Sequence, residues 1–563
     1  MGDETSGRAV VVDPQRDVGG YLRDAEAAGL AVERVIETHL HADFLSGHLE
    51  LAARTGAVIS YGEAALVDYP VDVLPDGRRL SLGQVDLEIR ATPGHTPESI
   101  SIVVREQAGD AEPYGVLTGD TLFIGDVGRP DLLSSVGVTS DGLARSLYRS
   151  LHTKLLTLPD ATRVFPAHGA GSACGKNLST ETQSTIGEQR RTNYALQPMT
   201  EDEFVALVTE GQPLAPQYFA FDARRNREDR PVFDEEQPPA ELTFEAVIDA
   251  QRRGAAVLDT RDPMDFAAGH LAGSVNVGLQ GRFAEFAGDV LSPATDIVIV
   301  AEPGYALETK VRLARIGYDR IAGAMAEPLR VFLEHPEAVT RSSRLTIEQL
   351  AERMGNTPTL QVVDVRNPGE LTAGLLPRAG NVPLPALTER LGSLDRTRPT
   401  VVYCAAGSRS SVAASVLVEA GFSDASDLLG GFAAWRAAGL PLDQPEGERM
   451  PEHDVPEVDP DRGHALVEEG AFLLDVREPD EWDAGHAPAA VHVPMKEVQG
   501  RQGELPKDRR IVTVCRSGGR SAAVTEALNA WGFDAVNLAG GLNAWDAAGL
   551  PVVTDAGDSG TIA

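Results

Sequence analysis

Thr38-His39-Leu40-His41-Ala42-Asp43-Phe44-Leu45-Ser46-Gly47-His48 packs three histidines and a carboxylate into eleven residues. Imidazole nitrogens and carboxylate oxygens at such short spacing form the donor set of a metal centre. A β-prone stretch, Val32 to Glu37, precedes the run, and residues 47–54 predict the start of a helix, so the imidazoles fall on the connecting loop. Three more segments repeat the arrangement. Residues 85–89 lead into Thr92-Pro93-Gly94-His95-Thr96, residues 114–117 into Thr118-Gly119-Asp120-Thr121-Leu122, and residues 163–165 into Pro166-Ala167-His168-Gly169. Each predicts a strand followed by a turn bearing one candidate ligand. One such histidine alone reads as a hydrogen-bonded structural residue; the series reads as ligands aimed from rigid strand ends.

The order H-x-H-x-D, G-H, G-D, A-H-G resembles the metallo-β-lactamase superfamily, which implies an αββα sandwich with its ligands on loops at one edge. In that superfamily's hydrolases a histidine commonly follows the motif's Asp and completes a second metal site. Here that position is Phe44, which cannot coordinate, so a mononuclear site is expected. His39, His95 and Asp120 then form a two-His, one-carboxylate face with open positions, which suits Fe(II) and O2 chemistry; zinc is the alternative. His41, Asp43 and His168 are left as hydrogen-bonding neighbours of the ligands or as parts of a second metal site.

The Thr-His-Leu-His-Ala-Asp and Pro-Gly-His-Thr motifs and the run from Gly119 to Asp131 resemble, more narrowly, the persulfide dioxygenases. The resemblance implies oxidation of a low-molecular-weight thiol persulfide by O2 to sulfite and free thiol. It places substrate contacts at Arg129 and around Tyr194, with Cys174 close to the pocket; each also has a structural reading. The family ordinarily has a strand ahead of the Ala9-Val10-Val11-Val12 run, and an incomplete N-terminal sheet edge is expected here.

Cys404 and Cys515 carry the second chemistry. Val401-Val402-Tyr403 leads into Cys404-Ala405-Ala406-Gly407-Ser408-Arg409-Ser410, and Val512-Thr513-Val514 into Cys515-Arg516-Ser517-Gly518-Gly519-Arg520-Ser521. A cysteine between a strand end and a helix N-terminus meets converging backbone N–H groups, which with Arg409 or Arg520 favour a thiolate or an anionic sulfur adduct. These loops resemble the active loop of the rhodanese sulfurtransferases. A third unit precedes them: Val257-Leu258-Asp259-Thr260-Arg261, Val362-Val363-Asp364-Val365-Arg366 and Leu473-Leu474-Asp475-Val476-Arg477 form a repeat. In that unit Ala301 stands at the Cys position and Ala306 at the Arg position, so it is expected to be a non-catalytic spacer packing the metal domain against the later units. His270 and His486, at matching positions, read as structural because the middle copy has Leu375 there.

The expected architecture is therefore multidomain: a sandwich over 1–195, a connecting segment over 196–241, three α/β rhodanese-like domains over 242–340, 344–442 and 456–552, and a tail over 553–563. Met199 to Phe204 predicts a capped helix at the start of the connecting segment. The whole resembles fused persulfide dioxygenase–sulfurtransferases extended by one rhodanese unit, whose sulfite would be consumed by a Cys persulfide to give thiosulfate. A thioester hydrolase on the same scaffold and a metal-free sulfur relay remain as alternatives. With 84 acidic and 50 basic residues the net charge is −34, which opposes non-specific binding to nucleic acid or to an anionic membrane. Cysteine is scarce, with 3 residues far apart, and no apolar leader is evident, so a cytoplasmic setting is expected. Self-association into a homo-oligomer stays open.

Overall fold

A computed structural model describes residues 1–132, 139–176, 178–443, 456–477, 479–516, 518–554 and 560–561. Ser517 of the last thiol loop, and residues 555–559 and 562–563 of the expected tail, lie outside the described residues. The chain divides into two compact parts, Met1–Asp443 and Gln444–Ala563.

The N-terminal part opens with two facing sheets. One runs Gly2–Asp3, Arg8–Val12, Ala31–Ile36, Val58–Gly62, Asp72–Leu74; the other runs Ser184–Thr185, Arg163–Pro166, Gly115–Gly119, Ile100–Arg105, Asp86–Ala91, Arg79–Ser81. Alternation along the strands assigns the faces. Ile36 points into the space between the sheets with Val10, Leu87, Ile89 and Ile102, whereas its neighbour Val35 packs outward under the helix His48–Thr55 with Leu51. The helix Ser140–Ser150 covers the other sheet through Ala144 and Leu147, completing the αββα layering. The N-terminal edge is not bare, because Gly2–Asp3 pairs antiparallel with Arg8 and Ala9.

The segment over 196–241 is more than a connector. Its first helix, Glu201–Thr209, starts from a Thr200/Glu203 capping box and buries Phe204 and Val208 among Leu147, Leu151 and Leu155. Its second, Phe219–Arg225, ends at Asn226, whose amide donates to the carbonyls of His41 and Phe44 at 2.8 Å each and whose oxygen accepts from Ser46 N. The segment thus clamps the histidine loop.

Each rhodanese-like unit holds a five-stranded parallel sheet in one order. In the first it is Glu241–Leu242, Ile321–Met325, Ile297–Val300, Ala256–Asp259, Ser274–Asn276; the other two repeat it around Thr400–Tyr403 and Ile511–Val514. The repeated D-x-R motif explains itself here. In every unit the arginine grips its aspartate in a buried ion pair, Arg261 on Asp259 at 2.6 Å, Arg366 on Asp364 at 2.6 Å and Arg477 on Asp475 at 2.8 Å. The same guanidinium donates to the carbonyl of Gly269, Gly374 or Gly485, tying the strand end to the next turn. His270 and His486 are structural, stacked on Phe266 and Trp482, with His270 Nδ1 donating to Phe266 O.

Within residues 1–443 the first unit packs against both neighbours. Arg315 pairs bidentately with Asp17 at 2.8 and 2.7 Å, its carbonyl accepts from Leu45 N, and buried Arg16 reaches Ala314 O and Asp319. On the other side the helix Ser408–Glu419 of the second unit meets the edge strand Ser274–Asn276, where Asn276 N donates to Ser415 Oγ at 2.9 Å.

Candidate metal centre and thiol loops

The ends of four strands converge as the spacing predicts. His39, His95 and Asp120 are buried with their donor atoms within 4.8 Å of one another. His39 Nε2 lies 3.8 Å and His95 Nε2 3.5 Å from Asp120 Oδ2. Their outer nitrogens are engaged: His95 Nδ1 donates to the carbonyl of Arg129 at 2.9 Å, and His39 Nδ1 pairs with Thr38 Oγ1 at 2.9 Å. Thr38 in turn donates from its hydroxyl to Asp13 Oδ2 at 2.8 Å. The Thr38 chain fixes the His39 ring and the Arg129 carbonyl the His95 ring, each with Nε2 inward, the lone-pair tautomer a metal requires. Burial, with His41, His95 and His168 nearby, pushes the His39 pKa well down, so its ring stays neutral. Gly128 belongs to the same device, since a Cβ there would stand 1.9 Å from Asp120 O and 3.1 Å from His95 Nδ1.

His41 stands aside from this cluster, its Nε2 3.1 Å from Asp13 and 3.3 Å from the buried Glu37. Burial opposes its protonation, but the two carboxylates outweigh it and raise its pKa well above the usual histidine range. Asp43 and His168 meet at 3.2 Å, and His168 Nε2 is 3.5 Å from Asp120 Oδ1. Cys174 joins that pair, forming a second donor group. Its thiol is held protonated, pushed well up by burial and by the charges of Asp43 and Asp120.

Arg129 and Tyr194 are not directed at the cluster through their charged or hydroxyl ends. Arg129 is buried and bidentate on Asp131 at 2.7 Å on both arms, with a further hydrogen bond to Ala173 O. Tyr194 donates to Asp126 at 2.7 Å. What Arg129 contributes is its carbonyl, which orients His95. Thr38, Asp13 and Asn226 escaped the sequence reading; Thr38 alone had a signal, being the residue immediately before the first histidine.

At the thiol loops the chain is arranged as the strand-to-helix spacing predicts. Cys404 Sγ accepts from Gly407 N at 3.1 Å; Cys515 Sγ accepts from Gly518 N at 3.2 Å, Ser521 N at 3.4 Å and Ser521 Oγ at 3.3 Å. Gly431 and Gly541 close over these loops with positive φ, and a Cβ on either would approach the cysteine carbonyl to 2.3 Å. The arginines differ from expectation. Arg409 is bidentate on Glu370 at 2.7 and 2.8 Å and Arg520 on Glu481 at 2.6 and 2.7 Å, so each of these two cations is shared between its carboxylate and the loop.

The metallo-β-lactamase superfamily model matches residues 4–168, and the rhodanese-like domain model matches 243–325, 346–438 and 459–548. The chain is 31% identical over 227 residues to the persulfide dioxygenase ETHE1, mitochondrial, of Bos taurus, covering 39% of this chain and 79% of that one. The chain belongs to the metallo-β-lactamase superfamily, in the family of fused persulfide dioxygenase–rhodanese proteins. It is also 32% identical over 243 residues to a probable metallo-hydrolase of Burkholderia pseudomallei strain 1710b, covering 37% of this chain and 79% of that one. A crystal structure of a metallo-β-lactamase from Staphylococcus aureus subsp. aureus COL, 31% identical, superposes with a TM-score of 0.53 over 58% of this chain and 94% of that one. The family implies a metal, and the residues fit one: His39 Nε2 and both carboxylate oxygens of Asp120 are buried without a hydrogen-bond partner. Buried orphans of this kind are costly unless something occupies the space between them.

Proposed function

We propose that the chain oxidises a low-molecular-weight thiol persulfide with O2 and couples this to rhodanese sulfur transfer, yielding thiosulfate. The observation that carries the reading is the inward-facing His39, His95 and Asp120 set on the same chain as two cysteines cradled by backbone N–H groups. His39, His95 and Asp120 would hold one Fe(II), which when bound supplies open positions for a persulfide sulfur and O2. Overall, one persulfide, one O2 and one water give one thiol, one sulfite and two protons. The chain's own part is to hold the two imidazoles in one tautomer through Arg129 O and Thr38 and to bury the donor set away from bulk water.

At Cys404 or Cys515 a second persulfide gives up its outer sulfur: the cysteine thiolate attacks it, a new S–S bond forms, and the carrier leaves as thiolate. Sulfite then attacks the outer sulfur of the cysteine persulfide, the S–S bond to the protein breaks, and thiosulfate departs. The N–H groups of Gly407 and Gly518 stabilise the thiolate regenerated. Making and consuming sulfite on one chain raises its local concentration.

Metal analysis and O2 uptake with glutathione persulfide test the reading. One iron per chain is expected, and His39→Ala, His95→Ala and Asp120→Ala should each lose both iron and uptake; full uptake by any one of them refutes the ligand assignment. A metal-dependent thioester hydrolase is the second reading, favoured by the Asp43, His168 and Cys174 donor group beside Asp120. Two zinc ions per chain with thioester turnover would decide for it.

A further inference from the structure

The first rhodanese-like unit keeps the turn of the thiol loops and reverses their charge. Gly304 has φ 89°, as Gly407 has φ 109° and Gly518 φ 96°, and each turn leads into a helix, here Ala306–Ala314. The groups that would hold an anion are gone, with Ala301 at the cysteine position and Ala306 at the arginine position. Between them the loop carries Glu302 and Tyr305 instead.

A cavity of about 390 Å³, the size of a small-molecule site, lies over this loop. Its far wall belongs to the next unit: Ser408, Ser411 and Val412, on the helix that follows Cys404, line it. The near wall is aromatic and acidic. Phe286 and Tyr305 belong to it, and Tyr305 is 46% exposed, an aromatic ring displayed rather than packed. No group among the described residues pairs with the Glu302 carboxylate. Asp262 accepts from Met264 N through one oxygen at 2.7 Å and leaves the other open. Arg261, the cation among the described lining residues, is already matched to Asp259 at 2.6 Å and donates to Gly269 O. The cavity thus offers two carboxylates without a matching cation, beside two aromatic rings.

That combination suits an organic ammonium ion, whose charge the carboxylates neutralise and the ring faces attract, and it repels the anions that the two cysteine loops are built to hold. We propose that the cysteine-free loop of the first rhodanese-like unit is a binding site for a small protonated amine with an apolar body. Glu302 and Asp262 take the ammonium group; Tyr305, Phe286 and Leu279 take the body. The site is distinct from the metal centre and from both thiols, and it stands whatever reaction the metal supports. Because Ser408 precedes Arg409 directly, a bound amine bridges the cysteine-free unit to the helix that presents Cys404.

The test is calorimetric titration of the full chain with phenethylammonium chloride and with phenethyl alcohol, its neutral counterpart, at about 0.15 M salt, where diffuse attraction to the net charge of −34 is screened. The ammonium ion should bind with one site per chain and about tenfold more tightly than the alcohol. Glu302→Gln should remove most of that preference, and Asp262→Asn should lower it a few-fold. Tyr305→Phe should bind as wild type does and Tyr305→Ala should lose affinity, which assigns the contact to the ring and guards against a merely misfolded variant. Glu308→Gln removes an equal charge from the same unit outside the cavity and should change nothing. Equal affinity for the two compounds, or an unchanged preference in Glu302→Gln, overturns the proposal. Equal losses in Glu302→Gln and Glu308→Gln overturn it too, by assigning the binding to the general acidity of the chain.

Discussion

Ser410 and Ser521 occupy the same place in two corresponding loops, and they do different things. Ser521 Oγ lies 3.3 Å from Cys515 Sγ, with its backbone N also within reach at 3.4 Å. Ser410 Oγ turns instead to Gly407 O, also at 3.3 Å, leaving Cys404 with the Gly407 N–H. A hydrogen bond to a charged group contributes about 1.5–3 kcal/mol. Because the Ser521 hydroxyl is shared with Gly518 O at 3.0 Å and is long, the lower end applies, about 1.5 kcal/mol, or roughly tenfold in reactivity at fixed pH. Ser521→Ala should therefore slow alkylation of Cys515 by iodoacetamide about tenfold near neutral pH, measured on a Cys404→Ser background so that one loop reports. The matched control is Ser410→Ala on a Cys515→Ser background, which should change the Cys404 rate less than twofold. Cys174, whose thiol is held protonated by burial and by the charges of Asp43 and Asp120, should stay silent in both. Equal effects of the two serine substitutions, or none from Ser521→Ala, would refute the argument that side-chain donors rather than the arginines distinguish the loops.

The same difference orders the two cysteines in turnover: Cys515→Ser should remove most thiosulfate:cyanide sulfurtransferase activity, whereas Cys404→Ser should leave most of it but lower the thiosulfate yield from persulfide and O2. Loss of the cyanide assay in Cys404→Ser alone would reverse the ranking. Ala301→Cys should create no sulfurtransferase activity, because the arginine position is Ala306; thiocyanate formation by this variant on a background lacking both native loop cysteines is the contrary result. In the same unit Asp259→Asn should destabilise by roughly 3–5 kcal/mol, since it strands the buried Arg261 guanidinium, and chemical denaturation of the full chain should show an earlier first transition. An unchanged midpoint would mean that Gly269 O alone satisfies that arginine.

Much of this was legible in the residues because the chemistry is local. A histidine a few residues after a strand end, or a cysteine between a strand and a helix, is positioned by the element beside it, and both kinds of loop fold where the pattern puts them. What was not legible comes from distant chain. Asn226 holds the histidine loop across 182 and 185 residues of sequence, through Phe44 O and His41 O. Asp13 orders Thr38 from just past the end of another strand, and Glu370 and Glu481 pair with the loop arginines from 39 residues upstream. None of these partners has a periodicity or motif of its own. The thiol loops show the same limit: the sequence displays the cation but not the carboxylate that folds onto it.

The first rhodanese-like unit separates what the fold needs from what the chemistry needs. It keeps the buried Asp259–Arg261 pair and the parallel sheet built on it, both of which its two relatives share. It lacks the cysteine and the arginine of the active loop, at Ala301 and Ala306. The unit anchors itself to the sandwich through Arg315 and Asp17. Absence of the loop cysteine and arginine with retention of the core pair is what is expected of a unit whose task is to pack its neighbours together, since packing needs the fold but no nucleophile.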